Sequence, residues 1–210
     1  MKAISALLCW ALLVIASASE KDEPQLGYTL QIDGKDVLLE PGKELKIEGK
    51  FEDPKVKLLP SQTRLFSAAG VVFKYPAYFT FEADLSSEGI KRWTLSGKDF
   101  MVMLHQFVAK VSAKAMAEGM KAQYGKSANT SPISRKINGQ TLKGVRVTAK
   151  FAGAGITQDV LDLPTENGNR LLVIQDLTEK EDESVAETKL AMGLLDTTLE
   201  FADQRQSDQQ

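Results

Sequence analysis

The sequence predicts an α+β fold: an antiparallel sheet with a helix over about 110–124 and a C-terminal helix over about 184–200 packed on it, preceded by a small β-rich extension. Three observations predict it. Apolar residues alternate at period two through most of the chain, which is the mark of strands. The period changes to a helical one in just two places. Turn dipeptides such as Asp33-Gly34, Asn138-Gly139 and Asn167-Gly168 separate the strands closely enough for hairpins.

The extension comes first. Tyr28, Leu30 and Ile32 alternate with Thr29, Gln31 and Asp33, Asp33-Gly34 turns, and Val37 to Leu39 returns. Leu45, Ile47, Gly49 and Phe51 alternate with Lys46, Glu48 and Lys50, which predicts a further strand. Pro54 and Pro60 bracket a short Val56, Leu58 strand. The block over 27–60 is too short to stand without packing against something else.

A main domain over 63–202 follows. Val71, Phe73 and Tyr75 share one strand face, and Pro76 holds Tyr75 extended. With Tyr78, Phe79 and Phe81 they form the densest aromatic cluster; period-two aromatics beside a proline read as sheet core with a tyrosine rim. Trp93 and Leu95 open a second hairpin that turns at Ser96-Gly97-Lys98. The strand through Phe100, Val102 and Leu104 is apolar on both faces, so it belongs at the sheet centre. Ala113, Met116, Ala117, Met120 and Tyr124 fall at helical spacing, with Gly125 as the stop. Residues 126–132 read as a polar loop. A three-strand meander follows, through Val145 to Phe151, Thr157 to Leu163 and Leu171 to Leu177. In the last helix, Ser184 and Glu187 have capping-box spacing, and Val185, Met192, Leu195 and Leu199 run down one face. The Gln-rich tail over 203–210 reads as disordered.

Residues 1–19 read as a secretory signal peptide. Lys2 gives the charged start, Ala3 to Ala16 is apolar apart from Ser5, and Ala16-Ser17-Ala18 is a small-x-small site with cleavage after Ala18 or Ser19. The apolar run is shorter than the ~20 residues of a spanning helix. A periplasmic or extracellular location is the expectation. Cys9 is the single cysteine, and Trp10 to Ile15 continue the apolar run past it, against lipidation. Cleavage would leave a cysteine-free chain without cysteine nucleophiles, thiolate zinc sites or iron–sulfur clusters. About 190 remaining residues suffice for a core without disulfides. Losing Lys2 takes the net charge from −2 to −3. No basic run marks a nucleic-acid face, and no later stretch is apolar enough to span a bilayer.

No constellation specifies a reaction, so no catalytic, cofactor-binding or metal-binding residues are expected. Gly153-x-Gly155 lacks the third glycine of a dinucleotide loop, since Gln158 stands there, and a strand follows it. Gly125-Lys126-Ser127 ends a helix where a P-loop begins one. His105 is the single histidine. It lies in a strand and reads as a partnered structural residue, and Asp99, six residues away, is roughly 20 Å distant along extended chain. Asp159, Asp162, Glu166 and Asp176 could approach one another across the meander, but neither they nor Asp33, Asp36 and Glu40 match a calcium loop. Asn129-Thr130-Ser131 is a glycosylation sequon on the polar loop, and 179–183 is an acidic linker.

Phe73-Lys74-Tyr75-Pro76, the helix end Tyr124-Gly125 and the terminal Leu195-Asp196-Thr197-Thr198-Leu199 resemble the PsbP-like α/β/α sandwich superfamily over about 63–201. That superfamily includes the photosystem subunit PsbP, its exported bacterial relatives and the nuclear Ran-release factor. The resemblance implies an α/β/α sandwich and a binding or assembly role more than an enzymatic one, and carries over no functional residue. The expectation is therefore an exported, non-enzymatic protein-binding or envelope assembly factor. A hydrolase using carboxylates or Ser and Lys is one alternative. A small-ligand or lipid carrier with a cavity lined by Met101, Met103, Met116 and Met120 is the other.

Overall fold

The computed structural model describes residues 22–39, 42–151, 154–164, 169–177 and 184–201. Three antiparallel sheets account for it. The N-terminal sheet has the order β2-β1-β3, from β1 (Tyr28–Ile32), β2 (Lys35–Leu39) and β3 (Val56–Pro60). Next come β4 (Thr63–Ala68) and β5 (Val71–Pro76), which join the two-residue β13 (Glu200–Phe201) in a sheet ordered β13-β5-β4. The large sheet takes β6 (Thr80–Asp84), β7 (Ile90–Ser96), β8 (Phe100–Phe107), β9 (Asn129–Ile137), β10 (Gln140–Phe151), β11 (Ala154–Asp162) and β12 (Arg170–Asp176). Its order is β6-β7-β8-β12-β11-β10-β9. One meander runs in to β8. The chain then crosses through α1 (Ala113–Tyr124) to the far edge, and a second meander returns to pair β12 with β8.

The two faces of the large sheet bury different cores. Trp93, Leu95, Val102, Leu104, Leu172 and Ile174 point to one side, where α2 (Ser184–Thr198) and the β4–β5 layer supply Met192, Leu195, Phe66 and Phe73. Phe66 and Phe73 stack with ring centroids 4.8 Å apart. Val160, Leu171 and Val173 point to the other side, under Ala113 of α1 with Met103, Met116 and Met120 around them. Each fully buried Leu, Val or Phe contributes on the order of 2 kcal/mol, so this two-sided burial is ample to order the large sheet.

The α+β expectation of an α/β/α sandwich does not hold. The protein is mostly β: 52% of the described residues are strand, with two α-helices among them. The reason is local. Residues 63–68, which carried no strand expectation, form β4, and with β5 and β13 they make a sheet that shares its layer with α2. Residues 129–132, read as loop, are the first part of β9, which pairs with β10 from Asn129↔Thr148 to Ile137↔Gln140. The strand expected at 45–51 is absent; residues 43–51 have no regular structure and are mostly exposed. The signal peptide with Ala16, Ala18 and Ser19, the acidic linker 179–183 and the tail 203–210 lie outside the described residues.

Local chemistry explains the ends of the elements. Ser112 Oγ accepts the amide of Ala115 at the start of α1, and Asp162 Oδ1 accepts that of Ala113 at 2.8 Å, so two of the four open donors are met. Gly125, at φ 72°, ends the helix where a side chain would be strained. Glu187 does not fold back on α2 as a capping box: its carboxylate accepts the amides of Lys98 and Asp99 in the β7–β8 turn. At the other end of α2, Asn138 donates from its backbone amide to the Asp196 carbonyl (2.7 Å) and from Nδ2 to the Leu199 carbonyl (2.9 Å).

Candidate functional site

Two features stand out once the cores are accounted for. The first is the N-terminal sheet. Antiparallel partners directly opposite one another share a face. The register therefore sets Val37, Leu30 and Leu58 in one row, Leu39, Tyr28 and Pro60 in the next, and Ile32 beside Val56 with Lys35. Eight of these nine side chains are apolar and none is buried; Leu58 is 56% exposed and Val56 55%. Every residue of β3 is exposed, and β3 ends the sheet with no strand beyond it among the described residues. The Ser61 amide donating to the Gly27 carbonyl (2.8 Å) extends the β1–β3 pairing by one rung, and the strand connection and an Arg64–Glu23 ion pair tie the extension to the main domain.

The second is a cleft of about 250 Å³ between α2 and the large sheet. It is lined by Phe100, Ile174 and Met192 on the apolar side and by Arg135, Arg146, Thr157, Asp159, Asp176 and Thr188 on the polar side. Arg146 lies directly opposite Asp159 in the β10–β11 register. Its Nε and Nη2 grip the two carboxylate oxygens at 2.6 and 2.8 Å, and Arg135 Nη1 adds a third bond at 2.9 Å. Asp159 is 3% exposed, so the pair of guanidiniums is what makes a buried carboxylate tolerable there. The Asp159 hydrogen bonds hold the Arg146 guanidinium above its ordinary pKa. Asp196 is shifted upward by burial, against the pull of the Arg135 charge. The Thr188 Oγ1, also on this cleft's lining, is buried with no hydrogen-bond partner among the described residues.

The residues singled out by sequence scatter. Asp159 and Asp176 meet at the cleft. Asp162 is on the helix N-terminus, and Asp33 Oδ1 accepts the Lys55 amide. Asp36 accepts from Gln31. Glu166 and Glu40, like Gly153, are outside the described residues. Asn129 begins β9, so the sequon lies on a strand and not on a loop, and Lys126 sits in a single 3-10 turn, Gly125–Ser127. Among the described residues no group of three or more His, Cys, Asp or Glu could hold a metal, and no helix is long and apolar enough to cross a membrane.

His105 corrects its expectation too. It is 5% exposed, and neither ring nitrogen has a hydrogen-bond partner among the described residues. Its ring stacks at 13° on Phe107, 6.1 Å away. Burial, with the Arg92 charge adding to it, pushes its pKa down to about 4, so the ring is neutral at physiological pH. The aromatic cluster is core as read at Phe73 and Phe79, but the tyrosine rim is Tyr78 by itself, because Tyr75 is buried in the core. Burial drives the Tyr75 hydroxyl up to about 12 against the nearby Arg64 charge. Met103, Met116 and Met120 pack the core beneath α1, and none of the four methionines named for a carrier lines the cleft.

Arg135 and Arg146 were not singled out by sequence. The signal that would find them is parity: residues 135, 146 and 159 take the same side of three successive strands of a meander. No family model matches this chain, and no curated protein matches it.

Proposed function

We propose that this chain is an exported, non-enzymatic partner-binding protein, and that the N-terminal sheet is its docking surface. The observation that carries the reading is the row of apolar side chains over β1, β2 and β3, half-buried at Leu30, Ile32, Val37 and Leu39, exposed at Tyr28, Val56 and Leu58, and ending at an exposed apolar edge strand. Soluble chains rarely leave a contiguous apolar patch open unless it is used. An edge strand with unpaired backbone groups favours one kind of occupant, an extended segment of a protein partner that adds to the sheet beside β3. Its backbone would supply the hydrogen bonds and its alternate apolar side chains would continue the Val56–Leu58–Pro60 row. The leader-like residues 1–19 support an envelope or extracellular setting.

The test uses the mature chain as bait in an envelope extract, beside Leu58→Lys and Val56→Lys variants, with hydrogen exchange on the recovered complex. Both sites are more than half exposed, so the variants keep their fold. The expected outcome is a partner retained by the parent chain, weakened roughly tenfold or more by either lysine, with new protection over 56–60. Equal retention by all three, absence of any partner, or turnover on a broad hydrolase panel overturns the reading.

A further inference from the structure

We propose that His105, Met103 and Met116 form a binding site for a soft monovalent cation, Cu(I). The argument starts from a histidine without a bond. Both ring nitrogens of His105 are buried and lack a hydrogen-bond partner among the described residues. An unpaired buried polar group is costly, and one that persists calls for a partner of another kind. A neutral imidazole offers the lone pair of one ring nitrogen to a metal. The side chains around it are soft donors. Met101, Met103 and His105 alternate along β8 and so share one face, the face that packs under α1. Successive members of that series stand about 7 Å apart along the strand, within joint reach of one ion through flexible thioether arms.

The register across the sheet shows which thioethers meet the histidine. Three rows run under α1. Asp162, Leu171 and His105 lie opposite one another in the first, Val160, Val173 and Met103 in the second, and Gln158, Gln175 and Met101 in the third. Both ends of the helix are tied to this grid: the Ala113 amide donates to Asp162 Oδ1 (2.8 Å) and the Tyr124 hydroxyl to Gln158 Oε1 (3.1 Å). With a rise of about 1.5 Å per residue, Met116 falls about 4.5 Å past Ala113, between the His105 and Met103 rows. Met120 falls about 10 Å past it, between the Met103 and Met101 rows. Met103, Met116 and Met120 pack on the same buried residues, Ala113, Val160, Leu171 and Val173, and are themselves half-buried. The methionines therefore give an ion a way in to a histidine that is 5% exposed. The donor set then selects the metal. Methionine sulfur is soft and favours Cu(I), whereas Mg(II), Ca(II) and Mn(II) favour oxygen. Zn(II) favours thiolate, imidazole and carboxylate. All three proposed donors are neutral, so one buried charge is easier to hold among them than two. Arg92 lies opposite His105 on β7, and Asp84, 3.5 Å from it, offsets its charge.

Titration with Cu(I) under ascorbate, with ferrozine as the competing chelator, tests this on the chain from Glu20 onward. That chain keeps every described residue and omits Cys9, whose thiol would itself take the metal. The expected result is about one equivalent of Cu(I) held, with Zn(II) bound roughly a hundredfold more weakly. Ag(I), a redox-inert stand-in, should shift the NMR signals of the His105 ring and of the Met103 and Met116 methyl groups. Leucine nearly matches methionine in volume, so Met103→Leu and Met116→Leu keep the packing. Each should weaken Cu(I) roughly tenfold, and His105→Leu should weaken it further. Met192→Leu, in the core on the opposite face of the sheet, should leave the affinity unchanged. Urea unfolding of each variant reports whether it is folded. No Cu(I) held against ferrozine, equal affinity for Zn(II), or parent affinity in a folded His105→Leu overturns the proposal. The Cu(I) and Zn(II) comparison and the Ag(I) spectrum use the parent chain, so a variant that fails to fold does not spoil the test.

Discussion

At the scale of single residues, the buried histidine has the plainest consequence. His105 is neutral in the folded protein because burial lowers its pKa from 6.5 to about 4. The unfolded chain binds a proton through that interval and the folded chain does not. The stability tied to this neutral ring is therefore fully present above about pH 6.5 and is lost as pH falls towards 4, in total roughly 3 kcal/mol. Urea denaturation midpoints measured from pH 7.5 to 4 should fall steeply in the parent chain. They should fall less in His105→Leu, which keeps an apolar side chain in the same packing. An equal acid slope in both proteins would place the sensitivity elsewhere. Sequence could locate this histidine on a strand, but not its isolation. Whether a ring nitrogen finds a partner is decided by β7 and β12 on either side of it, which bring Arg92 and Leu171 opposite.

At the scale of elements, the β9–β10 hairpin and α2 are tied together through one turn. Asn138 adopts φ 44° and Gly139 φ 78°, the left-handed pair that a two-residue hairpin turn requires. The same asparagine then meets two carbonyls at the end of α2. Asn138→Ala forfeits the side-chain bond and strains the turn, and should cost about 1–3 kcal/mol in chemical denaturation. Asn138→Gly keeps the turn and loses just the side-chain bond, so it should cost less. Much of this was legible from dipeptides and periodicity: Asp33-Gly34, Asn138-Gly139, the β7–β8 hairpin, the helix ending at Gly125 and the meander itself. What was not legible has physical causes. Leu65 points outward from β4 and blurs its alternation, so Phe66 and Ala68 do not read as one face. Pro132 and three small polar residues disguise the start of β9, which tolerates them because it is an edge strand. The alternation at 45–51 is clear in sequence, yet no strand forms there, because periodicity alone supplies no pairing partner.

At the scale of the whole molecule, helix positions read from sequence were not enough to define the architecture. The two helices lie on opposite faces of the large sheet, but the layer around α2 is filled out by β4, β5 and β13, which makes the protein mostly β. The cleft was illegible for a related reason. It depends on three strands bringing residues 135, 146 and 159 to one face, with Arg135 reaching diagonally from its place opposite Leu142, and sequence gives parity within a strand without the register between strands. The β4–β5 layer depends on the end of the chain as well. Phe201, 3% exposed, pairs opposite Val71 and joins the larger core. Phe201→Ala should destabilise the fold by about 3–5 kcal/mol, measured by thermal or urea unfolding. A change below about 1 kcal/mol would show that the closing strand is dispensable.

That short closing strand bears on how the polypeptide is made. Residues 200 and 201 must find residues 71 and 72, and β8 must wait for β12, some seventy positions later. Neither pairing can form until its later strand has been synthesised. Until then, hydrophobic strands stay unmatched and open to chaperones. The export proposed above would draw on that delay, because a chain threads a translocation pore before it folds.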